Sequence, residues 1–229
     1  MPNHIQNKIT IIGTTEQVNT VLDAIQHTDI EGYTRKIDFN NIIPMPESLN
    51  IESGSLGETA FSLLFGAGTE RSFFTNTELQ SRFAEMSIER QTEAVTLAIK
   101  YQQNIKEHGH PTWYKWAIEH WGTKWNAYES DDKRGDENTI FFQTAWSSPL
   151  PIIAKLSAMF PYVEILLEYA DEDSGSNTGR LKYKAGQAIE SFMPKSQSKE
   201  AYDIYFDRHP GTSDMYKLIN NQYEYVGEE

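Results

Sequence analysis

All five tryptophans of this 229-residue chain, Trp113, Trp116, Trp121, Trp125 and Trp146, fall within one short stretch. An aromatic of this size can bury about 150–250 Å², so the fold has to close around that stretch. From Pro111 to Trp121 the apolar groups occupy more than one helical face, with Trp113, Trp116 and Ala117 on one and Tyr114, Ile118 and Trp121 on another. A helix apolar most of the way round is a buried helix, and Gly122 suits the left-handed residue that ends it. TKWNAY (123–128) reads as a strand, ESDDKRGDEN as a solvated turn, and 139–146 as a strand with Ile140, Phe142, Thr144 and Trp146 on one face. The two strands are expected to pair as a hairpin. SSPLPIIAKLSAMFP then opens with serine and proline and sets Ile152, Ile153, Leu156, Met159 and Phe160 at helical spacing.

The flanking segments supply the rest of a layered fold. In NHIQNKITII, Ile5, Ile9 and Ile11 alternate with Gln6, Lys8 and Thr10, the period of a half-buried strand. Thr14 and Gln17 have the spacing of a capping box, and Val18, Val21, Leu22 and Ile25 make an apolar helical stripe over 15–28. IDFNNIIPM (37–45) reads as a second strand closed by Pro44 and Pro46. Val163, Ile165, Leu167 and Tyr169 alternate as another, and Arg180 to Ala188 returns as its hairpin partner across DEDSGSNTG.

Between 47 and 110 no strand pattern appears. The main element there is a helix from Ser87 to Glu107, stopped by Gly109. The order of elements predicts an α+β, ferredoxin-like (split βαβ) sheet with helices on one face. It places a domain at 1–190, with a helical insertion at about 47–110 and an irregular C-terminal extension at 191–229, in which 199–206 forms a short helix.

Composition narrows the chemistry. With no cysteine, the chain cannot build a thiolate zinc site, a cysteine-ligated iron–sulfur cluster, a cysteine nucleophile or a disulfide. No apolar run reaches the roughly 20 residues of a membrane span, and the N-terminus lacks signal-peptide features. No membrane association and a cytoplasmic location are expected. The formal net charge is −13, and the acidity is spread along the chain. A field of that sign repels phosphate backbones and draws basic surfaces. The plainest reading of the acidity is that it keeps the protein soluble; direct nucleic-acid binding is disfavoured, and if the charge serves a partner, a protein with a basic surface is expected.

Three constellations could carry a site. Asp171, Glu172, Asp173 and Asn177 cluster oxygen ligands in one loop. With Asp171 first, however, the sixth EF-hand position is Ser176 and the twelfth is Lys182, so a hairpin turn is the simpler reading. His108 and His110, with His120 further on, are separated by Gly109 and Pro111, which mark a helix stop and restart rather than a ligand pair. No metal and no cofactor is expected. The interleaved aromatics and lysines of 113–125 could stack bases, but the charge is wrong and an RNP1-type pattern is absent. What remains is Lys124 with Trp125 at the helix-to-strand corner. A phosphate loop and a G-x-S-x-G motif are both missing, so no catalytic residue can be named.

MPNHIQNKITIIG, the segment around IIPMPESL, WYKWAIEHWGTKWNAY, FQTAWSSPLPII and YADEDSGSNTGR together resemble the YubB-type ferredoxin-like proteins of bacterial plasmids and phages. The similarity runs over about residues 1–190. It implies a protein of a mobile element and supplies no activity or catalytic residue to carry over. The resulting expectation is a non-catalytic, acidic interaction protein, engaging a host nucleic-acid-binding or defence protein. The alternative is an enzyme, or a small-ligand or metal-binding protein, with a site between the WGTKWN corner and the loop 171–177. Its ligand residues would be Lys124, Trp125, Asp171, Asp173 and Asn177.

Overall fold

The computed structural model describes residues 3–32, 34–66, 75–130 and 136–227. It divides into two compact units, Met1–Pro44 with Ala117–Glu229, and Met45–Trp116. In chain order the elements are β1 (His4–Ile12), α1 (Thr15–Ile25), the short ribbon β2 (His27–Thr28) and β3 (Thr34–Arg35), α2 (Ser55–Phe65), α3 (Asn76–Ala84), α4 (Ile88–His108) and α5 (Trp113–Trp121). They continue with β4 (Thr139–Ala145), α6 (Leu150–Met159), β5 (Glu164–Asp171), β6 (Gly179–Lys184), β7 (Gln187–Phe192), α7 (Lys199–Arg208), β8 (Tyr216–Ile219) and β9 (Gln222–Tyr225).

The first unit is built on a five-stranded antiparallel sheet of order β4-β1-β5-β6-β7. Because β1 lies between β4 and β5, the unit β4-α6-β5 is a split βαβ, and the α+β ferredoxin-like class read from the element order holds. Alternation assigns the faces. Ile5, Ile9 and Ile11 of β1, Ile140 and Phe142 of β4, Ile165 and Leu167 of β5 and Leu181 and Tyr183 of β6 form the buried face. To it α1 adds Val18, Val21 and Ile25, and α6 adds Ile152, Ile153 and Leu156. The helix α1 starts where Thr14 and Gln17 close a reciprocal capping box and ends at Ile25, short of residue 28.

The opposite face is charged. Glu168 of β5 takes Lys8 of β1 at 3.1 Å and Arg180 of β6 at 2.8 Å, and Lys182 with Glu190 and Lys184 with Glu164 extend the row. Burial pushes the Glu168 carboxyl up, but its hydrogen bonds and ion pairs with Lys8 and Arg180 outweigh this and hold it below its ordinary range. At one end α7 covers this face: Tyr202 and Tyr205 pack on Ala170, and the Arg208 guanidinium lies over the Phe141 ring. Helices therefore occupy both faces, which the apolar periodicity of α1 and α6 could not reveal.

Four local expectations need correction. Residues 37–45 are not a strand but carry a 3₁₀ turn, Phe39–Asn41. The Asp38 side chain accepts from Asn40 N at 2.8 Å, and the Asn126 carboxamide accepts from Phe39 N at 2.9 Å. Phe39 is buried by edge-on contacts with Trp121 and Phe142 rather than by strand pairing. Residues 123–128 also fail to form a regular hairpin with β4, whose partner is β1. They run beside β4 with one bridge, Tyr128 to Gln143, because Thr123 Oγ1 binds both the N–H and the C=O of Ala145. The return strand 180–188 is two strands, broken where Ala185 and Gly186 adopt positive φ. The tail is not irregular: Asn220 and Asn221, both at positive φ, turn β8 back on β9. Part of the solvated turn expected over 129–138 lies outside the described residues.

In the second unit Leu56, Ala60 and Phe61 of α2 pack on Ala94, Ala98 and Tyr101 of α4. Gly57 permits the approach, since a Cβ there would stand 2.7 Å from the Tyr101 ring. Burial raises the Tyr101 phenol to about 12, and its hydroxyl donates to Glu52 O at 2.6 Å. Asn104, buried, donates to Ser48 O and Pro111 O. His108 contacts Ser48 Oγ at 3.1 Å and Glu107 at 3.7 Å. Among the described residues no helix is long and apolar enough to cross a membrane.

Candidate binding corner

Five residues were singled out by sequence, and the structure brings them together through two that were not. Lys124 follows the left-handed Gly122, where a Cβ would meet Pro151 at 2.6 Å. Its ammonium lies 4.5 Å from the centre of the Trp125 ring and 4.7 Å from that of Trp146. Both indoles are exposed, at 37% and 42%, whereas Trp121 is 4% exposed and gives its N–H to Ile43 O. Trp125 also meets Tyr128 edge-on at 6.3 Å. The Tyr128 hydroxyl lies 2.7 Å from His4 Nδ1 and donates to Thr144 O. Burial, then the charges of Glu129 and Glu172, push that phenol up to about 12.

Trp146 sits at φ 73, a left-handed conformation that a bulky side chain rarely adopts. The alternation along β4 predicts its indole on the core face, but the change of backbone region at the strand end turns it to solvent. Two hydrogen bonds hold the backbone there: Trp146 N donates to Asn3 O at 2.9 Å, and Asn177 Nδ2 donates to Trp146 O at 3.4 Å.

Asn3 and Asn177 both lead to Asp171. Its Oδ1 accepts from Asn3 Nδ2 at 3.1 Å and from Asp173 N at 3.0 Å, and its Oδ2 accepts from Asn177 Nδ2 at 3.0 Å. Asn3 Nδ2 also reaches Asp173 Oδ2 at 2.9 Å. Asp171 is buried, so these bonds replace its lost water. The C-terminal extension clamps the same loop. Gln197 donates to Gly175 O and Ser174 O, Tyr216 OH donates to Ser174 Oγ, and Tyr202 packs where a Gly175 Cβ would stand. The loop is thus a braced turn. Asp171 serves as an internal acceptor, while Glu172 and Asp173 stay exposed.

An open cavity of about 400 Å³ lies beside Trp125, lined by Arg35, Asn126, Tyr128 and Glu129 among others, and takes in neither Asp171 nor Asp173. The corner and the acidic loop are therefore joined through the Trp146 backbone, not through a pocket they share. Sequence reasoning missed Trp146 and Asn3. Asn3 carried no signal, because its role depends on strand register: β1 pairs with both β4 and β5 and so delivers residue 3 to the ends of both.

Residues 121–216 match the family model described as "Ferredoxin-like domain in Api92-like protein". The matched span carries Lys124, Trp125, Trp146 and the whole loop 171–177, and it leaves out β1. Among solved structures, protein Api92 from Yersinia pseudotuberculosis aligns at 12% identity, covering 85% of this chain and 99% of that one, with a TM-score of 0.38. No curated protein matches the chain.

Proposed function

We propose that this chain is a non-catalytic interaction protein that engages a partner bearing a basic surface. The observation carrying this reading is Trp146. A left-handed backbone at a non-glycine residue costs about 1–3 kcal/mol and persists where surrounding structure enforces it. Here Asn3, Asn177 and, behind them, Asp171 enforce it, and the result is an indole displayed to solvent beside a second one. Tryptophan is enriched among the residues that dominate protein–protein binding energy. The chain's charge of −13 and the exposed Glu172 and Asp173, in the loop whose Asn177 bonds to the Trp146 backbone, favour a cationic partner. The resemblance to plasmid- and phage-borne YubB-type proteins supports a mobile-element origin and a cytoplasmic setting. A host nucleic-acid-binding or defence protein fits the expected partner chemistry.

The test is capture from a bacterial lysate by the wild-type chain and by Trp146→Gly, which removes the indole and relaxes the backbone. A partner retained by the wild type, lost with the variant and released as salt rises is the expected result. Equal retention by both chains, or nothing above background, overturns the reading.

A further inference from the structure

We propose that the gap between the Trp125 and Trp146 indoles is a recognition slot for a cationic side chain. In this inference, which rests on the function proposed above, the occupant is an arginine guanidinium from a basic segment of the partner. Lys124 is then the slot's resident plug, displaced on binding.

The geometry is that of cation recognition. A single ammonium stands within 4.5 and 4.7 Å of two ring centres, well inside the ~6 Å reach of a cation–π contact. Both rings remain partly open to solvent, so the slot can be reached from outside.

The walls are braced independently of Lys124. Tyr128 buttresses Trp125, and Asn3 and Asn177 pin the backbone of Trp146. Removing the lysine side chain therefore leaves a shaped gap.

The neighbouring charge selects the ligand. Glu129 is exposed in the segment that follows Trp125, and Glu172 and Asp173 are exposed in the loop bonded to Trp146. Against these three carboxylates stands Arg35, which lines the cavity beside Trp125, so the neighbouring charge is net negative; an anion is disfavoured here, and a neutral planar group would have to displace an ammonium without replacing its charge. A guanidinium keeps the charge and adds stacking, being flat and more weakly hydrated than an ammonium. Self-occupancy sets a threshold, because isolated small cations gain little over the resident lysine.

The probe is a short peptide of alternating arginine and glycine, titrated against the full chain with tryptophan emission as readout, alongside an otherwise identical glutamate–glycine peptide. The arginine peptide is expected to bind the wild type and the glutamate peptide to leave it unchanged. Lys124→Ser is expected to bind the arginine peptide roughly five- to thirty-fold tighter, the equivalent of losing two competing exposed cation–π contacts. Lys124→Arg, a better plug, is expected to bind it more weakly than the wild type. Trp125→Ala and Trp146→Gly are expected to lose the emission change and most of the affinity.

Lys155→Ser, at an exposed position on α6, makes the same change in net charge outside the slot. Its effect measures long-range electrostatics, which Lys124→Ser must clearly exceed. If Lys124→Ser does no better than Lys155→Ser, or if Trp146→Gly binds like the wild type, the slot is overturned. Salt-sensitive capture of a basic partner can still succeed in that case, so failure of the slot and failure of the proposed function are separate results. If the arginine peptide binds none of these chains, Lys124→Ser included, the slot is also overturned.

Discussion

Trp121 and Trp146 belong to one short segment and have opposite fates. Trp121 closes α5 against Phe39, its N–H satisfied by a backbone carbonyl and its surface almost wholly removed from water. Trp146 ends β4 in a left-handed conformation, with its indole in solvent over a lysine. The first indole is retained for stability, since burying so large an apolar group favours the fold directly. The second keeps 42% of its surface exposed, gains less by burial than the first and sits on a strained backbone. The same residue type therefore acts as mortar in one place and as contact surface in the other, and what separates them is the backbone that presents each ring.

The largest effect that could break this contrast is on stability. Trp121→Ala should lose about 3–5 kcal/mol, the usual cost of emptying a tryptophan-sized core site, read by chemical denaturation. Trp125→Ala should lose clearly less, about 1–2 kcal/mol, since more than a third of its surface stays in water and the cation–π contact it gives up is an exposed one. Comparable losses at the two positions would remove the distinction.

Next in size is the bracing behind Trp146. Asp171→Ala leaves the Asn3 and Asn177 amides and the Asp173 N–H without their buried acceptor and should cost about 1–3 kcal/mol. Glu172→Ala, at an exposed position, should stay within about 0.5 kcal/mol of wild type. If Asp171 instead held a metal, adding calcium or magnesium would raise the melting temperature of the wild type and not of Asp171→Ala; no such shift is expected.

Tyr128 offers a pH-resolved test of how the Trp125 wall is buttressed. Its phenol is raised to about 12 in the fold, against an ordinary value of 10.0. Between those values the unfolded chain gives up a proton that the folded chain keeps. Stability therefore falls as pH rises through that window and levels off above it. Tyr128→Phe should cost about 1 kcal/mol at neutral pH from lost hydrogen bonding, and should show a shallower alkaline decline in denaturation midpoints. An unchanged alkaline slope would mean that the phenol is not desolvated.

The smallest expected effect is the most diagnostic. Trp146→Gly should be more stable than Trp146→Ala by about 1 kcal/mol, because only glycine adopts positive φ without a Cβ penalty. The glycine variant should also lie within about 1 kcal/mol of wild type. Equal stabilities for the two variants would show that the left-handed backbone is not strained.

Much of the fold was legible because local chemistry and tertiary structure agree in those places. The period-2 runs at 3–12 and 163–169, the Thr14–Gln17 box and the Gly109 stop each state in a few residues what the chain does there. Legibility failed where side chains took over the backbone's hydrogen bonds. Asp38 and Asn126 turn 37–45 away from a strand, and Thr123 ties down the segment expected to pair with β4. The turn at Asn220–Asn221 was readable as a two-residue hairpin signal, but the polarity of the tail hid it.

The candidate site divides in the same way. Lys124 and Trp125 are chain neighbours at a glycine-terminated helix, and Asp171, Asp173 and Asn177 share one loop, so sequence alone could group each set. The element order by itself also determined the α+β class, and the lack of cysteine excluded cysteine chemistry. Only the tertiary structure decided that the two sets meet, because their meeting depends on β1 lying between β4 and β5 and carrying Asn3 to the end of both. It alone also decided that Trp146 faces outward, since a single backbone torsion at a strand end overrides the alternation that residue types encode.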